Sequence, residues 1–166
     1  MFDIKQFVTQ DACSKCEGCC RFTEENSIWQ PILLDEEIKI ISKESTDKDT
    51  LSLSKKINSL PFKDYFICSF FDIDNKKCKI YNIRPFECRL YPFLINKTKD
   101  ATYLSVDLKC PFIKDKLESK DFKDYGNYLM SFLCLPVISF TIKHNPQILS
   151  DYTQGSALQN LSTLIF

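Results

Sequence analysis

Glycine is scarce in this chain. The three glycines, at positions 18, 126 and 155, leave no G-x-G-x-x-G dinucleotide fingerprint and no phosphate-binding P-loop. Histidine is scarcer still. The single one, His144, follows an apolar run and precedes Asn145-Pro146, so it reads as a loop residue, and a hydrolytic metal site built on histidine and carboxylate lacks its usual donors. Excess charge is also missing: 22 basic residues face 22 acidic ones, so no overall field draws the protein to nucleic acid or to an acidic membrane. That balance counts every cysteine as neutral, and metal-bound thiolates would turn it negative. The longest apolar run, Met130 to Ile142, is shorter than the ~20 residues of a spanning helix and is broken by Pro136. The amino-terminal segment carries Asp3 and no apolar core of a secretory signal. We therefore expect a cytoplasmic protein with no nucleic-acid and no membrane partner.

Cysteine is what the chain has in excess. Cys13, Cys16, Cys19 and Cys20 fall within eight residues, a density of reactive thiols that packing does not require. Two cysteines spaced Cys-x2-Cys bring both sulfurs to one ion where the loop turns back, and the step from Cys16 to Cys19 supplies a third. Gly18 is expected to permit that turn. Cys68, Cys78, Cys88 and Cys110 follow, and Cys134 remains over. In a reducing compartment such thiols bind metal or do redox chemistry rather than form a disulfide framework. Eight is two sets of four, which suits two full centres, or one centre with redox-active spares. Tetrahedral zinc and a [4Fe-4S] cluster each take four. The Cys-x2-Cys-x2-Cys run and the later Cys110-Pro111 tilt the reading towards iron-sulfur over zinc. The radical S-adenosylmethionine spacing, Cys-x3-Cys-x2-Cys, is absent.

Around the thiols the sequence predicts short elements. Residues 1 to 12 read as coil or a short strand, and Ile28 to Leu33, with Pro31 inside, as an irregular or edge strand. Asp35 is expected to cap a helix reaching about Ser42, and the polar residues 43–55 to form a variable loop. Tyr65 to Ile80 reads as a hairpin turning near Asp74 and Asn75, with Cys68 on its first arm and Cys78 on its second. Asn82 is placed to cap a short helix carrying Cys88, which Pro92 stops. Phe93 to Ile95 and Tyr103 to Val106 form a second expected hairpin. Phe122, Tyr125, Leu129, Phe132 and Leu133 mark an amphipathic helix over about 119–135, with Cys134 a buried apolar residue at its end. Leu158, Leu161 and Leu164 suggest a final short helix. Arg84 and Arg89 flank Cys88, where cations offset thiolate charge or take an anionic substrate.

The pattern Cys-x2-Cys-x2-Cys-Cys, then Cys78-Lys-Ile-Tyr-Asn-Ile-Arg-Pro-Phe-Glu-Cys88-Arg-Leu-Tyr-Pro-Phe, then Cys110-Pro111, resembles the YkgJ family of cysteine-cluster proteins, described as zinc- or iron-chelating. The resemblance implies metal ligands at Cys13, Cys16, Cys19, Cys20, Cys68, Cys78, Cys88 and Cys110. The wider grouping that the resemblance implies includes iron-sulfur-associated protein-lysine methylases.

Taken together, these readings give an α+β fold of short helices and two hairpins around a cysteine-ligated metal region. We expect one domain over 1–166, with 13–111 as the metal-binding core and 112–166 as a helical C-terminal extension. The expected cofactor is an iron-sulfur cluster or zinc. The expected function is that of a redox or metal-dependent module; a methylase-like enzyme and a structural zinc interaction domain are the alternatives.

Overall fold

Seventeen short elements, none longer than 14 residues, make up the computed structural model, which describes residues 2–16, 18–44, 50–153 and 157–166. The mixture of helices and small antiparallel sheets is the α+β class expected. Contacts divide the chain into two compact units, Met1–Arg89 and Leu90–Phe166. Each is described by itself.

In the first unit, helix α1 (Gln10–Cys16) opens under Thr9, whose hydroxyl accepts the Ala12 amide at 3.3 Å, with Asp11 in its first turn and Lys15 in its last, as the helix dipole favours. Strand β1 (Arg21–Phe22) pairs with β3 (Tyr65–Cys68), and β3 pairs with β2 (Ser59–Phe62), in an antiparallel sheet of order β1-β3-β2. Between them, Ile28 to Leu33 contributes only an isolated bridge, Ile32 to Lys56, in keeping with the irregular segment Pro31 demands. Helix α2 (Asp35–Glu44) follows. Residues 45–49 of the expected variable loop lie outside the described residues. Strands β4 (Phe71–Asp72) and β5 (Lys77–Cys78) form a two-stranded ladder whose turn is built on Asp72, its Oδ1 accepting the Asp74 and Asn75 amides at 3.1 Å. The expected hairpin therefore exists with its turn in place, but it is shorter than its aromatic flanks suggested, and Cys68 belongs to the preceding sheet rather than to its first arm. Helix α3 (Phe86–Leu90) carries Cys88. Phe22, Leu33, Ile41, Ile57, Phe70, Phe71 and Ile80 form the core, with Cys68 among them and Cys20 and Cys78 packed against it.

In the second unit, β6 (Phe93–Lys97) and β7 (Thr102–Asp107) form the second hairpin in the expected pairing, Phe93 opposite Val106 and Ile95 opposite Leu104. Helix α4 (Pro111–Lys114) is followed by α5 (Lys120–Leu133), capped by the Ser119 hydroxyl on the Phe122 amide at 3.2 Å. Phe93 stacks on Phe122 and tilts against Tyr125, with ring centroids 5.4 and 5.2 Å apart. Pro136 does more than stop α5. It starts α6 (Pro136–His144), which turns away by 72°.

Three expectations fail in this unit. Cys134 caps the carboxyl end of α5 at the bend and is exposed, not buried in the core. His144 ends α6, its ring against Phe140 and its Nδ1 2.8 Å from the Phe140 carbonyl, instead of lying in a loop. The tail is strand β8 (Leu158–Leu164), paired with β7, instead of a helix. Among the described residues no single helix is long and apolar enough to cross a membrane.

Candidate metal centre

Seven of the nine cysteines belong to the first unit, on five different elements. Cys13 and Cys16 are three apart on α1 and so share a helix face, where a reversing loop was expected. Cys19 and Cys20 sit on a single 3-10 turn, Gly18–Cys20, that joins α1 to β1. Cys68 ends β3, Cys78 faces Phe71 across β4 and β5, and Cys88 lies in the middle of α3. Gly18 does not supply a left-handed turn. Its importance is space, because a Cβ there would stand 3.2 Å from the Cys16 sulfur. Cys110 is in the second unit, buried at the amino end of α4, and Cys134 is exposed in the same unit.

The seven thiols interact with one another. Cys13 donates a hydrogen bond to Cys19, which holds the Cys13 thiol far above its ordinary range, with burial adding to the effect. Cys19 donates in turn to Cys20. Accepting from Cys13 pulls Cys19 down, yet the bond to Cys20 and the protein packed around its sulfur outweigh that pull, and its thiol is raised well above the usual value. At Cys20 the bond from Cys19 lowers the thiol, but burial and the neighbouring Cys68, Cys88 and Cys78 carry it upward. Burial pushes Cys68 up to about 12, and it likewise raises Cys78 and Cys88, with neighbouring cysteines adding to it in each case. Two backbone amides work in the opposite sense. The Phe70 amide donates to the Cys68 sulfur and the Ile80 amide to the Cys78 sulfur, each lowering its thiol.

This chemistry fits a soft, thiophilic metal. Thiols gathered beside an apolar core stay protonated, because thiolates there would repel one another and lose hydration, whereas a bound cation removes both penalties and takes the protons' place. Amide donors aimed at sulfur stabilise the deprotonated form that a metal requires. Among the described residues, no group of three or more His, Cys, Asp or Glu side chains already stands in ion-holding geometry. Cys13, Cys19 and Cys20 are spaced for hydrogen bonds to each other, so ligation requires the thiols to close up.

The cationic flank separates into two roles. Arg84 is buried, its Nε donating to the Tyr81 carbonyl at 3.1 Å and its Nη2 to Gln6 Oε1 at 3.1 Å, and its charge lowers Cys13, Cys78 and Cys88. Arg89 faces Glu37 at 3.5 Å and donates to the Phe2 carbonyl.

Glu37 is the residue the sequence reading undervalued. It is 2% exposed and accepts hydrogen bonds from two backbone amides. Its Oε2 accepts the Leu34 amide at 3.0 Å, so Leu34 and not Asp35 occupies the capping position of α2. Its Oε1 accepts the Phe86 amide at 2.7 Å, capping the helix that carries Cys88 in place of Asn82, which lies in a 3-10 turn. Burial raises its carboxyl above the usual range against these bonds and Arg89. The signal available in the sequence was Glu37 three residues after Leu34, a reach-back spacing without the usual hydroxyl partner.

Interacting thiols on five elements of one small unit define a cysteine-cluster metal-binding protein. The chain matches over residues 12–111 the family model described as "CxxCxxCC: Putative zinc- or iron-chelating domain", and it belongs to that family. No solved structure matches it.

Proposed function

We propose that the thiol cluster of the first unit holds an iron-sulfur centre and that the protein serves as a redox module of the cytoplasm. One observation carries the reading: seven interacting thiols converge, more sulfur than one tetrahedral zinc takes, and two of them receive backbone amides. When bound, an iron-sulfur cluster supplies reversible electron transfer. The chain's own residues have three tasks. Cys13, Cys16, Cys19, Cys20, Cys68, Cys78 and Cys88 are the sulfurs that the first unit offers for ligation. The Phe70 and Ile80 amides spread negative charge off Cys68 and Cys78. Phe22, Phe70, Phe71 and Ile80 keep water from one side of the cluster.

The test is expression under iron-replete, anaerobic conditions, followed by iron, zinc and acid-labile sulfide analysis. Brown protein with iron and sulfide, bleaching on reduction, is the expected result. Stoichiometric zinc without sulfide overturns the iron-sulfur reading and leaves zinc chelation. Zinc found after purification in air does not bear on the question, because zinc fills vacated thiolate sites.

A further inference from the structure

We propose that Arg84 is the counter-charge of the thiolate centre, a buried guanidinium compensated by metal-bound cysteine sulfurs. The inference rests on the metal reading above. Arg84 is 9% exposed, and a cation so placed requires an anion near it. None of its direct contacts is one. They are the Tyr81 carbonyl at 3.1 Å, the Gln6 side-chain amide oxygen at 3.1 Å and the Tyr81 ring, whose centroid lies 3.7 Å from the guanidinium carbon. Among the described residues, no carboxylate pairs with it.

Arg89, five residues on, shows what the alternative looks like. It is also largely buried, but its guanidinium faces a carboxylate, Glu37, at 3.5 Å. The two arginines that the sequence treats alike therefore differ: Arg89 has a carboxylate as its main partner and Cys88 as a weaker one, whereas Arg84 has the sulfurs alone among the described residues. Those sulfurs, Cys13, Cys78 and Cys88, lie on α1, β5 and α3, so a single fixed charge acts on the assembled centre rather than on one ligand. Its position is fixed from two sides. Tyr81 precedes Arg84 by three residues, and Gln6 reaches it from the amino-terminal segment, which Phe2 also ties down through its ring contact with Phe86. A metal surrounded by several thiolates carries net negative charge, and a held cation beside it offsets that charge.

Cobalt(II) is a suitable probe, because its thiolate-to-metal charge-transfer absorption reports sulfur ligation whichever metal is native. The full chain, freed of metal anaerobically, is titrated with cobalt against a competing chelator as wild type, Arg84→Gln, Arg84→Lys, Arg89→Lys and Gln6→Ala. Arg84→Gln should weaken cobalt binding about 10- to 100-fold, the range for groups just outside a metal's ligands. Arg84→Lys, keeping the charge, should recover most of the loss. Arg89→Lys should stay within a few-fold of wild type, and Gln6→Ala, which removes one hold on Arg84 but keeps its charge, should lose less than Arg84→Gln, which guards against mistaking a loosened amino terminus for lost charge. In protein reconstituted with iron and sulfide, Arg84→Gln should move the midpoint potential to more negative values and Arg84→Lys should not. Equal losses in Arg84→Gln and Arg84→Lys, or unchanged binding in Arg84→Gln, would overturn the proposal while the metal reading stands. A wild type with no charge-transfer band overturns both.

Discussion

Gly18 and Cys16 are in such close approach that a single β-carbon on Gly18 would lie 3.2 Å from the Cys16 sulfur. A separation that tight forces the sulfur to move by a few tenths of an ångström. Gly18→Ala is therefore expected to leave the fold intact and to displace one ligand, lowering metal affinity about tenfold, or about 1.4 kcal/mol. Competition titration would show the loss, and a thermal melt of the metal-free protein should be nearly unchanged. A melt that falls as far as the affinity would mean that Gly18 serves the backbone rather than the sulfur.

Ligands and bystanders should separate cleanly. Cys16→Ala and Cys88→Ala should lose metal, since each removes a thiol of the interacting set. Cys134→Ala should keep its full complement, because that thiol is exposed at the bend between α5 and α6 in the other unit. Metal analysis of the three variants, purified side by side without oxygen, decides this. Depletion in Cys134→Ala equal to that in the other two would refute the ligand assignment.

Metal affinity should depend steeply on pH, and the sign follows from the thiols. Burial holds Cys68 near 12 and keeps Cys78 and Cys88 above their ordinary values, so each ligand must surrender a proton when metal binds. Acidification therefore weakens binding, with a slope of log affinity against pH greater than one. Metal-free protein behaves in the opposite direction. A thiol raised from about 9 when unfolded to about 12 when folded adds stability that is complete below pH 9 and is lost as pH climbs towards 12. Denaturant melts at pH 7.5 and pH 10 should show the metal-free protein weaker at the higher pH and the loaded protein much less affected.

How much of this could be read in advance depended on whether a local pattern carried the information. Helix α5 was legible because Phe122, Tyr125, Leu129, Phe132 and Leu133 repeat at helical spacing. The β6/β7 hairpin was legible because a polar turn separates two apolar arms. Strand β8 was not: the register against β7 shifts between Leu104 and Ser105, so Leu161 falls at an irregularity. That shift breaks the two-residue alternation, and Leu158, Leu161 and Leu164 then mimic helical spacing. Strand β2 was hidden by Pro61 and by Leu60, which is 45% exposed at the sheet edge. The thiols were legible as ligands by spacing. That Cys13 and Cys16 share a helix face was not, because a seven-residue helix is too short to show a period, and neither was the separation of Arg84 from Arg89, which tertiary neighbours set.

Glu37 provides a test of those tertiary neighbours. Its carboxylate satisfies the Leu34 and Phe86 amides and faces Arg89, all in a buried setting. Glu37→Ala strands two amides and a guanidinium together, and a loss of about 3–5 kcal/mol is expected, as for a broken buried ion pair. Glu37→Gln can accept at only one end, so it should lose about 1–3 kcal/mol. Denaturant titration of the metal-free protein measures both. Losses below 0.5 kcal/mol in Glu37→Ala would mean that α3 is held by its apolar contacts alone.

Removing metal should affect the two units unequally. In the first, the interacting cysteines tie α1, the 3-10 turn, β3, β5 and α3 together, and several of these elements have only two to seven residues. Ladders of two residues contribute little by themselves. Structural zinc in small peptides is worth about 10–16 kcal/mol of apparent binding free energy, comparable to the whole stability of a domain, so ligation at this site is a large share of what holds the first unit. The second unit has its own sheet, β6-β7-β8, and an aromatic core in which Phe93 meets Phe122 and Tyr125. Hydrogen exchange with and without chelator should therefore show protection lost over residues 13–88 and retained in α5 and β7. Unchanged protection across the first unit would mean that its fold precedes the metal, and would turn the centre from a structural support into an open functional site.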